Sequence, residues 1–481
     1  MQPLASGLRA LEDRLAHDLA CLQLPLSRWT PPLQHEGQAV ADVAIIGGGM
    51  AGLALAAALQ HQGMAVAVYD EAPAGWEGPW ATTARMETLR SPKHLAGPAL
   101  GIASLSFRAW FEAQFGAAAW DALDKIPRLQ WMDYLRWYRQ VLGLVVHNEH
   151  RVTDVLPRAD GQVQLKLAVR DRTQSAWARR VVLATGRAGL GGPWMPEFAH
   201  GLSTSRRVHS SEPFDYATLQ GLRVGVIGAG ASAMDSAATA LEEGAARVHL
   251  LVRRRDIPRI NKGKGASHPG FVHGHALLPD DWKWRIRHYI NVQQVPPPRG
   301  STLRVSRHEN AFFHLGCAIE GVDELGNALR VHTSQGPIEL DFLVFATGFR
   351  VDWAQRPMLR HIAPHVRLWQ HRYQPPAGDE DAELTDSPDL GPAFEFRARA
   401  DSPCPGLERV HCFCYPAALS LGVITGDIPA ISDGAQQLAR SLAGLFYVED
   451  IDHHFERMQI FSEPEVLGDE WTSVPLPPAS T

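Results

Sequence analysis

The chain has 481 residues, with 46 basic side chains against 52 acidic ones and a net charge of −6. That length suits two or three domains with full cores, and the mildly acidic balance excludes a polycationic nucleic-acid binder. The five cysteines, Cys21, Cys317, Cys404, Cys412 and Cys414, are odd in number and scattered, which excludes a disulfide framework and fits a reducing cytoplasm.

Leu8, Leu11, Leu15 and Leu19 recur at helical spacing. Residues 1–40 therefore read as a helical extension, not a secretion signal, whose apolar core Glu12, Asp13 and Asp18 would interrupt. Residues 43–59 are almost wholly apolar, but their glycine cluster argues for a buried strand, a turn and a buried helix, with no membrane span. A strand over 42–46 runs into Gly47-Gly48-Gly49-Met50-Ala51-Gly52, followed by a helix over 53–61 and a strand over 65–69. Each glycine has a reason: Gly47 permits the tight turn, Gly49 lets the backbone approach a pyrophosphate, and Gly52 lets helix pack on strand. The pyrophosphate is expected at the helix N-terminus, where free N–H groups and the dipole favour the anion, with Met50 and Ala51 as further candidate contacts. Asp70, with Glu71 beside it, ends the second strand where a carboxylate meets ribose hydroxyls, so an adenosine without a 2′-phosphate is favoured and FAD fits. Trp80 is a candidate wall for the flavin ring.

The same grammar returns with one change. A strand over 223–227 precedes Gly228-Ala229-Gly230-Ala231-Ser232-Ala233, a helix over 234–243 and a strand over 247–252. Arg253, Arg254 and Arg255 follow, with no acid, and match the 2′-phosphate of NADPH. Two further strands end in Ala-Thr-Gly, at Gly186 and at Thr347-Gly348. They bracket the second unit and predict that an NADPH-binding domain (191–345) is inserted into a discontinuous FAD-binding domain (41–190 and 346–460), followed by a tail at 461–481. The fold class is α/β, with two Rossmann-like dinucleotide domains in a glutathione-reductase-like arrangement. Residues 371–405, rich in Pro, Gly and acids, read as a long surface loop. Residues 410–415 read as a strand and 428–446 as a helix, with Gly426 and Asp427 at its cap as candidate cofactor contacts. His268, His273 and His275 match no metal-ligand spacing, so no metal is expected. Cys412 and Cys414 read as buried strand cysteines.

Three stretches resemble the class B flavin monooxygenases, the group of flavin-containing, N-hydroxylating and Baeyer–Villiger enzymes. Gly75-Trp76-Glu77-Gly78-Pro79-Trp80 resembles that family's Gly-Gly-x-Trp segment. The stretch from Ile126 to Trp137 is similar to the Arg-x-Glu-Phe-x-Asp-Tyr-x-x-Trp stretch of amine N-hydroxylases, and Asp341 to Phe349 to their Asp-x-x-x-Phe-Ala-Thr-Gly-Tyr segment. Ala354 and Gln355 stand where N-hydroxylases carry a His/Cys/Asn-Pro pair, and Arg90 takes the place of the active-site Asn of flavin-containing monooxygenases. The resemblance implies that NADPH reduces FAD and that one atom of O2 then reaches a small-molecule substrate through a flavin C4a-(hydro)peroxide. N- or S-oxygenation is the leading expectation; Baeyer–Villiger oxygenation and a reductase without oxygenation are the alternatives. Arg90, as a cation for developing negative charge, and His209, in the NADPH cleft, are the candidate catalytic side chains. A homo-oligomer is compatible with this reading.

Overall fold

The computed structural model describes residues 5–477; residues 1–4 of the predicted extension and 478–481 of the predicted tail lie outside it. The larger sheet is built around the strand Gln38–Ile46, which pairs in parallel with Val66–Tyr69 on one side and Arg172–Leu183 on the other. Val146–His147 and Val410–Cys412 extend the parallel part, while Val163–Val169 and His150–Pro157 add antiparallel strands. A second sheet of five parallel strands has Arg223–Ile227 at its centre, between Arg247–Val252 and Phe342–Phe345. Each central strand thus lies where the strand order reverses, and the crevice at its carboxyl end is where open α/β sheets bind ligands.

Burial explains the composition of these strands. Val43, Ile45, Val224 and Val226 are fully buried, as expected of parallel strands covered on both faces. Asp42 is also fully buried, and its carboxylate accepts from Thr30 Oγ1 (2.6 Å), Ala65 N (2.8 Å) and Arg28 Nη2 (3.2 Å). A buried charge survives when it is paired and hydrogen-bonded in this way. The helix Ala5–Cys21 buries Leu11 and Leu15 against the body, the face its leucine spacing predicts.

The chain crosses between the sheets twice. Gly191–Pro193 and Phe349–Val351 pair antiparallel and form a two-stranded ribbon just beyond the two Ala-Thr-Gly ends. Loop 80–90 provides another link: Arg85 donates to the Phe214 carbonyl (3.1 Å), and Arg304 donates to the Arg85 carbonyl (3.2 Å).

The surface loop expected over 371–405 is not what folds. Leu384, Leu390, Phe394 and Phe396 are buried, and a short helix spans Ala382–Thr385. The acids that suggested solvent include Asp389, which is fully buried and bonded by Arg367 Nε (2.6 Å) and Arg372 Nη1 (2.6 Å). Arg367 and Arg372 fold back onto Asp389 and turn a polar stretch into a folded one. No helix among the described residues is long and apolar enough to cross a membrane.

Candidate functional site

Both fingerprints form tight turns from strand to helix, and both turns lean on an Ala-Thr-Gly strand end. Gly47 has φ +110°, and a Cβ there would stand 2.5 Å from the Ala184 carbonyl oxygen. Gly228 has φ +135°, with the Ala346 oxygen 2.6 Å from the same position. The first glycine of each unit is therefore required both by its left-handed backbone and by contact with the neighbouring strand. Gly52 packs its helix onto the turn: an added Cβ would lie 1.8 Å from the Gly47 oxygen. In the second unit Ala233 occupies that place and is fully buried.

The helices begin at Met50 and Ala231, not at the predicted 53 and 234, so the fingerprint residues themselves supply the first turn. The leading N–H groups of a helix lack helical partners, which is what an anion-binding helix start requires. At the first unit a cavity of about 250 Å³ opens beside Gly48 and Gly49, lined by Gly75, Glu77, Arg136 and Arg139 among others. Segment 75–80 closes over the turn, with Gly78 Cα 3.7 Å from the position of a Cβ on Gly49. Arg139 is paired with Glu77 (2.7 Å) and Arg136 with Asp133 (2.7 Å), so neither is a free cation; the space left by Gly49 fits the close approach of a dinucleotide pyrophosphate. Sequence reading missed Arg136 and Arg139; both lie on the helix Arg128–Val141, in or beside the stretch that carries the family resemblance.

Asp70 lies at the strand end as expected, but its carboxylate also holds the turn. Oδ2 accepts from Gly48 N (2.6 Å) and Oδ1 from Ala72 N (2.8 Å). Burial raises its pKa, while those two N–H groups pull the other way. Glu71 beside it is exposed. Trp80 is half-buried, edge-on to Trp131 at 6.5 Å. Gly186 and Gly348 have φ of +74° and +86°, and the Thr347 hydroxyl donates to the Trp194 carbonyl. In the second unit Gly230 and Ser232 are exposed at the helix start. Arg253, Arg254 and Arg255 are exposed beyond the adjoining strand, and Arg254 donates to the Val292 carbonyl at 2.9 Å.

Arg90, Asp427 and Gly426 are open to solvent, yet Arg90 and Asp427 are crowded enough by protein for desolvation to dominate their titration. That combination describes the wall of a cleft. Burial lowers the Arg90 pKa, with Asp235 and Asp427 opposing and Arg187 reinforcing. Burial raises the Asp427 pKa, opposed by Arg287, Arg187 and Arg90. Asp235 comes from the second unit's fingerprint helix; it is 3% exposed, its Oδ1 has no hydrogen bond, and Arg304 Nη1 lies 3.8 Å away. One cleft thus gathers side chains that the sequence scatters over 90–427. Asp235, Arg187 and Arg287 were missed; the signal for Asp235 was an acid on the buried face of an otherwise small-residue helix.

His209 is 1% exposed at the end of the strand Arg207–His209. Its Nδ1 lies 2.7 Å from Ser211 Oγ, its ring meets Phe349 edge-on at 5.8 Å, and burial lowers its pKa. The neighbouring histidines do not converge: His275 is buried with Nε2 3.1 Å from the Leu419 carbonyl, while His268 caps the helix Pro269–Gly274. Cys412 and Cys414 are buried with their sulfurs 3.4 Å apart.

Residues 41–265 match the family described as pyridine nucleotide-disulphide oxidoreductase. The chain is 39% identical over 469 residues to an FAD-dependent urate hydroxylase of Xanthomonas campestris pv. campestris, covering 97% of this chain and 98% of that protein. Among solved structures it is similar to the ornithine N-hydroxylase of Kutzneria sp. 744 (TM-score 0.65, 18% identity, 84% of this chain and 99% of that one). The ornithine hydroxylase of Pseudomonas aeruginosa is comparable (TM-score 0.66, 15% identity, 84% and 99%). Those two share the fold; the urate hydroxylase shares the sequence along nearly its whole length. With two dinucleotide turns facing one charged cleft, the chain belongs to the class B flavin-dependent monooxygenases, FAD-dependent enzymes that draw reducing equivalents from a nicotinamide nucleotide.

Proposed function

We propose that the protein uses NADPH and O2 to hydroxylate a planar nitrogen heterocycle of the urate class. The observation that carries this reading is the near full-length likeness to a urate hydroxylase. The cleft agrees with it: the three cations Arg90, Arg187 and Arg287 outnumber the carboxylates of Asp427 and Asp235, a balance that suits an anion such as urate.

In this reading residues 41–190 and 346–460 hold FAD, and residues 191–345 hold NADPH. Gly47, Gly49, Met50, Ala51 and Gly52 take the FAD pyrophosphate, and Asp70 takes the ribose. Gly228, Gly230, Ala231, Ser232 and Ala233 take the NADPH pyrophosphate, and Arg253 and Arg254 its 2′-phosphate. Bound FAD supplies the electron relay between the nicotinamide and O2. Arg90 offers a cation to the negative charge that develops there. Burial disfavours the charged form of His209, which bonds Ser211 and packs its ring edge-on against Phe349 of the second crossover.

N-oxygenation of an amine is the second reading. It is favoured by the carboxylates of Asp235 and Asp427, which could hold an ammonium group in the same cleft. Product analysis under isotopically heavy O2, with urate, ornithine and lysine offered separately, decides between them. Labelled product from urate alone supports the first reading; a labelled hydroxylamine from an amine, with urate untouched, replaces it by the second.

A further inference from the structure

Arg85 and Arg304 belong to different dinucleotide units, and each reaches into the other. Arg304 lies on the helix Arg299–Ser306 of the second unit and is 7% exposed. Its Nε and Nη2 grip the Glu242 carboxylate in a fork, at 3.1 and 2.6 Å, which balances its charge within that unit. The remaining Nη1 turns across and donates to the Arg85 carbonyl at 3.2 Å. Arg85, on loop 80–90 of the first unit, mirrors this. Its Nη1 donates to the Thr82 carbonyl of its own loop (2.7 Å), and its Nη2 crosses to the Phe214 carbonyl (3.1 Å). Its guanidinium also lies over the Tyr216 ring, 5.2 Å from the centroid. A planar group with five donors in fixed directions can hold two bodies in one geometry.

Both halves of this clasp finish on Ala231–Glu242, the helix that opens with the second fingerprint. The Tyr216 hydroxyl donates to Ser236 Oγ at 3.0 Å, while Arg304 holds Glu242 and lies 3.8 Å from Asp235 Oδ1. The loop is equally firm on the first unit. Arg128 donates from N to the Glu87 carbonyl and from Nε to the Met86 carbonyl, both at 2.9 Å, and from Nη1 to the Trp80 carbonyl. Leu89 N donates to the Ile126 carbonyl at 2.8 Å. Arg128 begins the helix Arg128–Val141, whose Met132 and Leu135 line the cavity beside Gly48 and Gly49. The clasp thus connects one fingerprint to the other through rigid elements. A loop pinned at 80, 86, 87 and 89 cannot follow a shifting partner, so the clasp fixes where the second fingerprint helix stands. The apolar cores of the two units are separate clusters, so these bonds govern the relation between the units and leave each core intact.

We propose that Arg85 and Arg304 are positioning residues: their reciprocal clasp sets the separation of the two dinucleotide turns, and with it the rate of hydride transfer between the cofactors. This rests on the reading that the first unit holds FAD and the second NADPH. The step moves one hydride from NADPH, leaving NADP+, and with one proton from solvent gives fully reduced flavin. Such a transfer depends steeply on the approach of donor and acceptor, and a misplacement of about 1 Å slows it by up to about a hundredfold. Neither arginine touches a dinucleotide in this reading.

The test uses the full-length protein loaded with FAD. Stopped-flow bleaching of the flavin is followed without oxygen at increasing NADPH, and separately with dithionite, which needs no second unit. Arg85→Met and Arg304→Met should each lower the limiting rate of bleaching by NADPH about tenfold or more. Half-saturation by NADPH, bleaching by dithionite and FAD content should stay as in the wild type. Amide hydrogen exchange gives a readout independent of turnover: loop 80–90 should exchange faster in Arg85→Met, with the strands of both sheets unchanged. A purely structural pair would lower the melting temperature or FAD content and leave the limiting rate of the folded fraction alone.

An unchanged limiting rate in both variants overturns the clasp and leaves the NADPH reading standing. Weaker half-saturation at an unchanged limiting rate also overturns it, because the arginines would then be contacts of the nucleotide. If one variant loses FAD, the other carries the test; loss of FAD from both makes the pair structural and overturns the proposal. A wild type bleached by dithionite but by neither NADPH nor NADH removes the nicotinamide reading and the role of the clasp with it.

Discussion

Gly230→Ala separates what the second fingerprint does for the fold from what it does for a ligand. Gly230 has φ −82°, which any residue adopts, and a Cβ there meets nothing within 4 Å. The substitution should therefore change folding stability by less than about 1 kcal/mol. If a pyrophosphate passes over this position, the added methyl fills the space it needs. One displaced charge-assisted N–H···O bond is worth about 1.5–3 kcal/mol, or roughly 10- to 150-fold in affinity. The assay is anaerobic bleaching of the flavin by NADPH, titrated for half-saturation, with melting and FAD content measured in parallel. Gly228→Ala is the contrast: at φ +135° and 2.6 Å from the Ala346 oxygen, it should cost about 2–4 kcal/mol in folding as well. Unchanged NADPH affinity in Gly230→Ala would refute the assignment of the second turn to the nicotinamide nucleotide. Loss of FAD in that variant would show that the two units had been exchanged.

Three further outcomes follow from the geometry. Arg253→Ala should weaken NADPH much more than NADH in steady-state kinetics, and equal weakening would mean that the exposed arginine does not read the phosphate. Asp389→Asn should lower stability by about 3 kcal/mol in urea denaturation, because it removes the charge bonded to Arg367 and Arg372; an unchanged midpoint would contradict a structural role for the 371–405 segment. Acid should weaken the fold through His411 and His275, whose pKa values burial depresses to about 3 and about 4 from 6.5. Their stabilising contribution is complete above the unfolded value and is lost as pH falls from about 6.5 toward the folded values. The slope is about 1.4 kcal/mol per pH unit for each ring. His411→Gln should flatten the fall in urea midpoint between about pH 7 and about pH 5, and an unaltered slope would rule that ring out.

The parts of the fold legible in sequence were those fixed by backbone geometry. Gly47 and Gly228 announce turns that only glycine makes against a neighbouring strand, so strand, turn and helix could be read outward from each. The predicted helix starts fall three residues late because glycine-rich composition hides the first helical turn, in which Gly52 and Ala233 are already packed. Residues 371–405 were misread because local composition carries no record of Arg367, Arg372 and Arg397 gathering around Asp389. The cleft was half legible. Arg90 and Asp427 could be named by analogy and by a helix cap. Arg187 and Arg287 could not, since only the tertiary fold brings a strand end and a helix together. Arg136 lay within a resembling stretch, but only the fold turns it toward the Gly49 turn.

If the two dinucleotide units and the charged cleft work as one enzyme, electrons from NADPH end in a hydroxylated substrate. A single-turnover experiment tests this without intermediaries: FAD-loaded protein is reduced by one equivalent of NADPH, then mixed with isotopically heavy O2 and urate. Flavin colour should return with one labelled oxygen atom in the organic product. Return of colour with the label only in hydrogen peroxide would contradict it.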